Sequence, residues 1–254
     1  MKRVRKATDT PNLLGIFFEN RPNADWDAFK KKATRYNETA AQIRSDQRGI
    51  CAYCEIDLLK SNSLGKVPDF RIEHFHPKSP HTPPPNWALE WTNMLGTCHG
   101  GSQTMVADPA RYTAPDLCCD VPKGNNDWTA DILNPLTDVP AFPRLFKYLE
   151  GDGSIDVDSD LCPVAVAGKA DETIKRLNLN APRLTRMRQA VIGALRDQIA
   201  ALLDVGETVE DASRQVAYAM FPANPDQEWQ PFFTCIRWYL GAAAEDQLTE
   251  IGYS

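Results

Sequence analysis

Long apolar runs, an export signal and a nucleotide-binding loop are all missing from this sequence, and each absence removes a class of function. No apolar run approaches the ~18 residues that a bilayer-spanning helix needs. Met1-Lys2-Arg3-Val4-Arg5-Lys6 leads through polar residues to Pro11, rather than into the apolar core of a secretory signal. The expectation is a cytoplasmic chain that engages no membrane. There is no phosphate-loop motif, no internal repeat, no low-complexity tract and no sustained heptad pattern. No constellation for covalent nucleophilic catalysis stands out. Histidines number only four and cysteines seven. An odd cysteine count without an export signal argues against a disulfide framework and for metal ligation plus a few buried thiols, and Cys162 and Cys235 are read as the latter.

With 254 residues and 43% hydrophobic composition, the chain can bury one large core, or a small core with an appendage. The net charge of -6 conceals a segregation. Between Lys169 and Arg196 there are seven Lys/Arg against two acids, whereas from Asp204 to Ser254 nine acids face two arginines. The basic stretch, with Arg183, Arg186 and Arg188, is the candidate nucleic-acid contact.

Residues 1–23 read as a basic N-terminal arm, ordered by a partner or substrate or else a solvated tail. Trp26, Phe29, Ala33, Tyr36, Ala40 and Ile43 recur at helical spacing, so the pattern predicts one long helix from Asp25 to Gln47 with Lys30, Lys31, Lys32 and Arg35 on its polar face. Phe70 to His74 reads as a short strand, followed by a proline-stiffened loop. A strand ending in Glu73-His74 sends two adjacent side chains in different directions, one to a metal and its neighbour to water. Trp87 to Leu95 carries helical apolar spacing, and Asp131 to Leu136 reads as extended. Lys147 to Val157 reads as a hairpin turning at Gly151-Asp152-Gly153. Helices are expected over about 164–178, 182–204, 208–220 and 229–250.

The chemistry concentrates between Cys51 and Gly124. Cys51-Ala52-Tyr53-Cys54 fits a zinc knuckle, and Cys98, Cys118 and Cys119 supply enough further thiolates for four ligands. Phosphodiester hydrolysis requires an activated water and a cation that neutralises the phosphoryl oxygens. Glu73 and Asp120 offer oxygen ligands for Mg²⁺ or Mn²⁺. His74 offers a base whose ordinary pKa near ~6.5 suits neutral pH, with His76 and His81 as competitors. Lys78 and Lys123 are candidate phosphate contacts.

Glu73-His74, Asn93 in Trp91-Thr92-Asn93-Met94-Leu95, and Asp120 in Cys119-Asp120-Val121-Pro122-Lys123-Gly124 resemble the motif of the HNH endonucleases. The chain looks most like the HNH component of Septu-type and retron-associated anti-phage systems. The likeness also takes in the basic start through Pro11, Ile132 to Leu136 and Thr173 to Asn180. It implies an α+β chain in which a ββα-metal core with a structural zinc is embedded in mostly helical sequence with a C-terminal helical region. The nuclease domain is expected at 24–140, and a hairpin plus helical domain at 141–254. The likeness further implies His74 and Asn93 as catalytic residues, the latter by positioning, and Glu73 and Asp120 as ligands of the catalytic Mg²⁺. It places the structural Zn²⁺ on Cys51, Cys54, Cys98 and Cys119, with Cys118 a neighbour, and implies a partner ATPase and a nucleic-acid substrate, DNA favoured over RNA. Asp120 stands where the family has histidine or asparagine, and twenty residues separate Cys98 from Cys119, which leaves His99 and Cys118 as substitute ligands. The competing reading is a zinc-stapled module that binds nucleic acid or protein without cutting.

Overall fold

Two small antiparallel hairpins sit within a mostly helical chain in the computed structural model, which describes residues 1–59, 67–79, 85–106, 108–112 and 116–254. The N-terminal third forms α1 (Asn12–Asn20), α2 (Trp26–Lys30) and α3 (Ala33–Asp46). The long helix expected from Asp25 is thus two. Asp25 caps α2 by accepting from the Ala28 amide at 2.7 Å, but Lys32 is extended (φ -99°, ψ 112°) and breaks the run before α3. The break turns Phe29 and Trp26 onto Phe17 and Tyr36, a packing that a straight helix would forgo.

Strand β1 (Arg71–His74) pairs with β2 (Met94–Thr97) in the register Arg71 with Thr97, Glu73 with Leu95 and His74 with Met94. The helical spacing of Trp87 to Leu95 is therefore overridden. Residues Trp91–Asn93 make a single 3-10 turn, and Met94 onward enters the sheet, where β1 satisfies its backbone. A one-turn helix, α4 (Asp120–Lys123), follows the cysteine pair. The expected hairpin forms β3 (Phe146–Tyr148) and β4 (Ile155–Val157). Residues 131–136, expected to be extended, form no strand and lead into a turn in which the Asn134 carbonyl accepts from the amides of Thr137 and Asp138.

Helices α5 (Val164–Arg176), α6 (Pro182–Asp204) and α7 (Val209–Met220) lie close to their expected spans. The last expected helix divides at Gly241 (φ 55°) into α8 (Phe233–Leu240) and α9 (Ala242–Glu250). No helix among the described residues is long and apolar enough to cross a membrane.

The largest apolar cluster draws Met1 and Val4, the cysteine region, Phe146, Ile174, Leu184 and Phe232 into one core. The expectation of an arm awaiting a partner is corrected here. The Val4 amide donates to the Pro135 carbonyl at 2.9 Å, and Glu55, buried at the centre, accepts from the Thr234 amide and hydroxyl and pairs with the Met1 amine at 3.1 Å. Alternating basic residues hid an apolar face, Met1 and Val4, that burial rewards more than solvation of the flanking charges. Cys162 and Cys235 are buried and free.

Candidate metal centre and active site

Four sulfurs converge between the knuckle, the end of β2 and the start of α4. Cys51, Cys54, Cys98 and Cys119 are all buried, and their Sγ atoms lie within 4.8 Å of one another. Individual separations are 4.0 Å for Cys51 to Cys119, 3.6 Å for Cys54 to Cys98 and 3.5 Å for Cys98 to Cys119. Tetrahedral zinc with Zn–S bonds of about 2.3 Å sets sulfur–sulfur distances of about 3.8 Å, so the donor set fits that ion. Burial pushes the thiols of Cys51, Cys54 and Cys119 up, so a bound cation would be needed to hold them as thiolates.

Local structure explains the convergence across twenty intervening residues. The Gly100 carbonyl accepts from the Cys118 amide at 3.0 Å, and Gly100 (φ 58°) has no Cβ to collide with the Cys118 carbonyl. Gln47, from the end of α3, donates to the carbonyls of Ile50 and Gly96 at 2.9 Å each and accepts from the Gly96 amide, so its side chain ties the knuckle to β2. Amides of Cys98 and Gly100 donate to the sulfurs of Cys51 and Cys98 at 3.4 Å. Neither His99 nor Cys118 belongs to the group of four. The His99 amide donates to Asp69 at 2.6 Å, and Cys118 Sγ accepts from Arg183 Nη2 at 2.7 Å.

One residue after Cys119 the chain changes partners. Cys119 adopts φ 60°, a left-handed conformation that is strained for a non-glycine residue, and this turn sends its sulfur to the cluster and Asp120 to the strand. Asp120 Oδ1 pairs with Arg71 at 2.6 Å, and Glu73 Oε1 pairs with Lys123 Nζ at 2.9 Å. Arg71 and Glu73, two apart on β1, share the face turned to α4. Burial pushes the Glu73 carboxyl up to about 7, the Asp120 charge adds to the rise, and Lys123 opposes it. Burial likewise raises Asp120, with Arg71 opposing. Two carboxyls whose pKa values burial raises, and which offer only oxygen donors, fit a hard divalent cation.

His74 projects from the opposite face of β1. Its ring meets the edge of Trp26 at 4.8 Å, and its Nε2 donates to the Ala88 carbonyl at 3.2 Å. That bond defines the neutral tautomer and leaves Nδ1 as the acceptor, buried and without a hydrogen-bond partner among the described residues. Burial, helped by Lys78, pushes the imidazole down to about 3, so it stays uncharged at neutral pH. The expectation that one of the Glu73-His74 pair faces water is corrected, since only 3% of His74 is exposed. His76 is half-buried, stacks on Trp87 with ring centroids 4.4 Å apart and faces Asp127 at 3.5 Å. His81 lies outside the described residues.

Asn93 is a clamp. Its Nδ2 donates to the carbonyls of His76 and Trp87 at 2.9 and 2.8 Å, and its Oδ1 accepts from the His76 amide at 2.7 Å. Both polar atoms bond backbone, so Asn93 positions the loop after β1 against Trp87.

Three expected nucleic-acid contacts are corrected by burial. Arg183, 1% exposed, donates to the Arg111 carbonyl and to Cys118. Burial opposes its charge, but the cysteine sulfurs outweigh that and hold the guanidinium firmly protonated. Arg188, 4% exposed, donates to the Leu179 and Leu184 carbonyls. Lys123, 1% exposed, joins Glu73 to the His74 carbonyl. In each case backbone oxygens, carboxylate or sulfur replace the phosphate that clustered charge alone suggested. Lys78 and Arg186 remain exposed. Sequence reading passed over Arg71, Gln47 and the Ala88 carbonyl. Arg71 was legible, because strand alternation puts it on the face of Glu73, whereas the other two depend on tertiary proximity.

No family model matches the chain, and no solved structure does. A protein of Escherichia coli named as the candidate HNH endonuclease of retron Ec83 is 33% identical over 213 residues, covering 76% of this chain and 79% of its own length. Identity of that depth over most of both chains establishes common descent, and the chain belongs to the family of retron-associated HNH endonucleases.

Proposed function

We propose that the chain is a metal-dependent endonuclease that hydrolyses phosphodiester bonds of nucleic acid, DNA by preference, as the effector of an anti-phage system with a partner ATPase. The observation that carries this reading is the divided geometry of β1. One face offers Glu73, with Asp120 opposite, as a hard-cation site, while the other holds His74 neutral with Nε2 committed and Nδ1 bare. On this reading β1, β2 and α4 are the ββα-metal core, the nuclease unit is 24–140, and Cys51, Cys54, Cys98 and Cys119 hold the structural zinc.

Glu73 and Asp120 would hold Mg²⁺ or Mn²⁺, which when bound neutralises charge on the phosphate oxygens. His74 Nδ1 takes the proton from the attacking water, and the Ala88 carbonyl, accepting from Nε2, steadies the imidazolium that results. A dry surrounding keeps that nitrogen from bulk water until substrate arrives. Arg71 and Lys123 balance the charge of the two carboxylates. The partner ATPase is supported by the retron association of the relative's name and by the lack of a phosphate loop in this chain.

The test is plasmid nicking by the purified chain, with and without the ATPase, in Mg²⁺ or Mn²⁺. Cleavage that disappears in His74→Ala and on omission of the divalent cation is the expected result. Binding without any cleavage, with the partner present, overturns the reading in favour of a zinc-stapled binding module.

A further inference from the structure

A cavity lies beside the candidate active site rather than in it. About 720 Å³ opens between residues 3–6, the turn after β1 and the turns of 129–137. Its walls include Arg3, Arg5 and Lys6, the His76 and Trp87 rings, and no carboxylate, in a chain whose net charge is -6. Lys6 is fixed in the wall. Its ammonium lies 3.2 Å from the centre of the Trp91 ring and donates to the carbonyls of Trp91 and Met94. Arg3 and Arg5 make no ion pair among the described residues. The Val4 amide holds their backbone to the Pro135 carbonyl, so the two charges stand on a tethered segment.

The aromatic pair is equally fixed. His76 and Trp87 stack nearly parallel, 14° between planes, and Asn93 holds the backbone of both. A flat π-surface beside unpaired guanidinium groups suits an unpaired nucleobase with its phosphates, since stacking is indifferent to base identity and the arginines follow the backbone. An acidic polypeptide would satisfy the arginines but leave the stack without a purpose. His76 is two residues from His74, so the cavity borders the segment that carries the proton acceptor.

We propose that this cavity binds a single-stranded stretch of nucleic acid, with Arg3 and Arg5 on phosphates and a base stacked on the His76–Trp87 pair, and so presents the adjoining phosphate to the site around His74. This rests on the nuclease reading for its purpose, but its test is one of binding. The full chain carrying His74→Ala, which leaves the strand uncut, is titrated with labelled oligodeoxythymidine and with a duplex of equal length, by fluorescence anisotropy across a salt series.

The expected result is tighter binding of the single strand. Arg3→Gln with Arg5→Gln should weaken it about tenfold or more and flatten the salt slope by about 0.7 per arginine. Trp87→Leu should weaken it about tenfold with an unchanged slope, while Trp87→Phe keeps the affinity. A thermal melt that matches the parent shows that each variant is folded. Parental affinity and slope in either the arginine or the Trp87→Leu variant overturns the proposal, as does a groove variant that binds DNA normally but loses an acidic protein partner. Cleavage is scored separately with His74 intact. Nicking by a protein whose groove variants bind normally removes the groove and leaves the nuclease, whereas weakened binding in a protein that never nicks does the reverse.

Discussion

Cys119 and Asp120 are neighbours in the chain, yet they belong to two sites built on opposite principles. The cysteine cluster gathers four identical soft donors from three segments, closes them away from water and supports them with amides from Cys98 and Gly100 and a side-chain tie from Gln47. The carboxylate pair gathers two hard donors and already balances each with a resident cation, Arg71 on Asp120 and Lys123 on Glu73. A closed sulfur site has nothing to do but hold the fold. On the proposed reading the carboxylate site exchanges a resident cation for the catalytic ion. His74 stands apart from both, on the far face of β1, where burial keeps it neutral.

The comparison is tested most severely by Cys119→Ser. Structural zinc supplies on the order of 10–16 kcal/mol of apparent binding free energy that is also folding free energy, comparable with a domain's whole stability. Zinc content, melting temperature and activity should fall together, as metal analysis and a thermal melt would register. His74→Ala should come next, with cleavage down by about 10²–10⁴-fold at full zinc occupancy. Because the ring packs against Trp26, truncation also leaves a cavity, and a destabilisation of about 2–3 kcal/mol is expected alongside the lost rate. A wild-type rate in this variant would remove His74 from the mechanism.

Asp120→Asn separates the two sites more finely. It should lose cleavage and weaken the response to added Mg²⁺ while zinc stays bound, because the sulfurs one residue away are untouched. Arg71, about one-third exposed, can turn to solvent when its partner is neutralised, so the melting temperature should move little. The smallest effect belongs to Cys118→Ser. Serine keeps an acceptor for Arg183, and a change of about 1 kcal/mol or less is expected in a denaturant melt. If Cys118→Ser strips the zinc and Cys119→Ser does not, the register moves by one residue and Asp120 loses its place beside the strand.

Much of the candidate site was legible because it depends on short-range rules. The short strand ending in Glu73-His74, the knuckle at Cys51 and Cys54, and the hairpin around Gly151 to Gly153 follow from spacing and turn chemistry. The C-terminal helices were legible from apolar periodicity, with Pro182 marking the start of α6. Where pattern reading failed, a long-range partner had changed the local outcome. Trp87 to Leu95 reads as a helix in isolation, but Met94 to Thr97 becomes a strand because β1 offers a ladder. Residues 1–6 read as a solvated arm, yet Met1 and Val4 find the core.

Charge was the least readable property. A run of arginines in α6 looks the same whether it meets phosphate or protein, and only packing shows that Arg183 and Arg188 face inward to backbone oxygens and a sulfur while Arg186 faces out. By itself the sequence determined which donor atoms this protein has and which adjacent pairs must part company, since strand alternation and the Cys119-Asp120 boundary are local geometry. Which cation neutralises which anion was decided by tertiary structure alone. Ion pairing acts through space between groups as far apart in the chain as Arg71 and Asp120 or Glu73 and Lys123, and burial makes the choice of partner matter far more than it would in water.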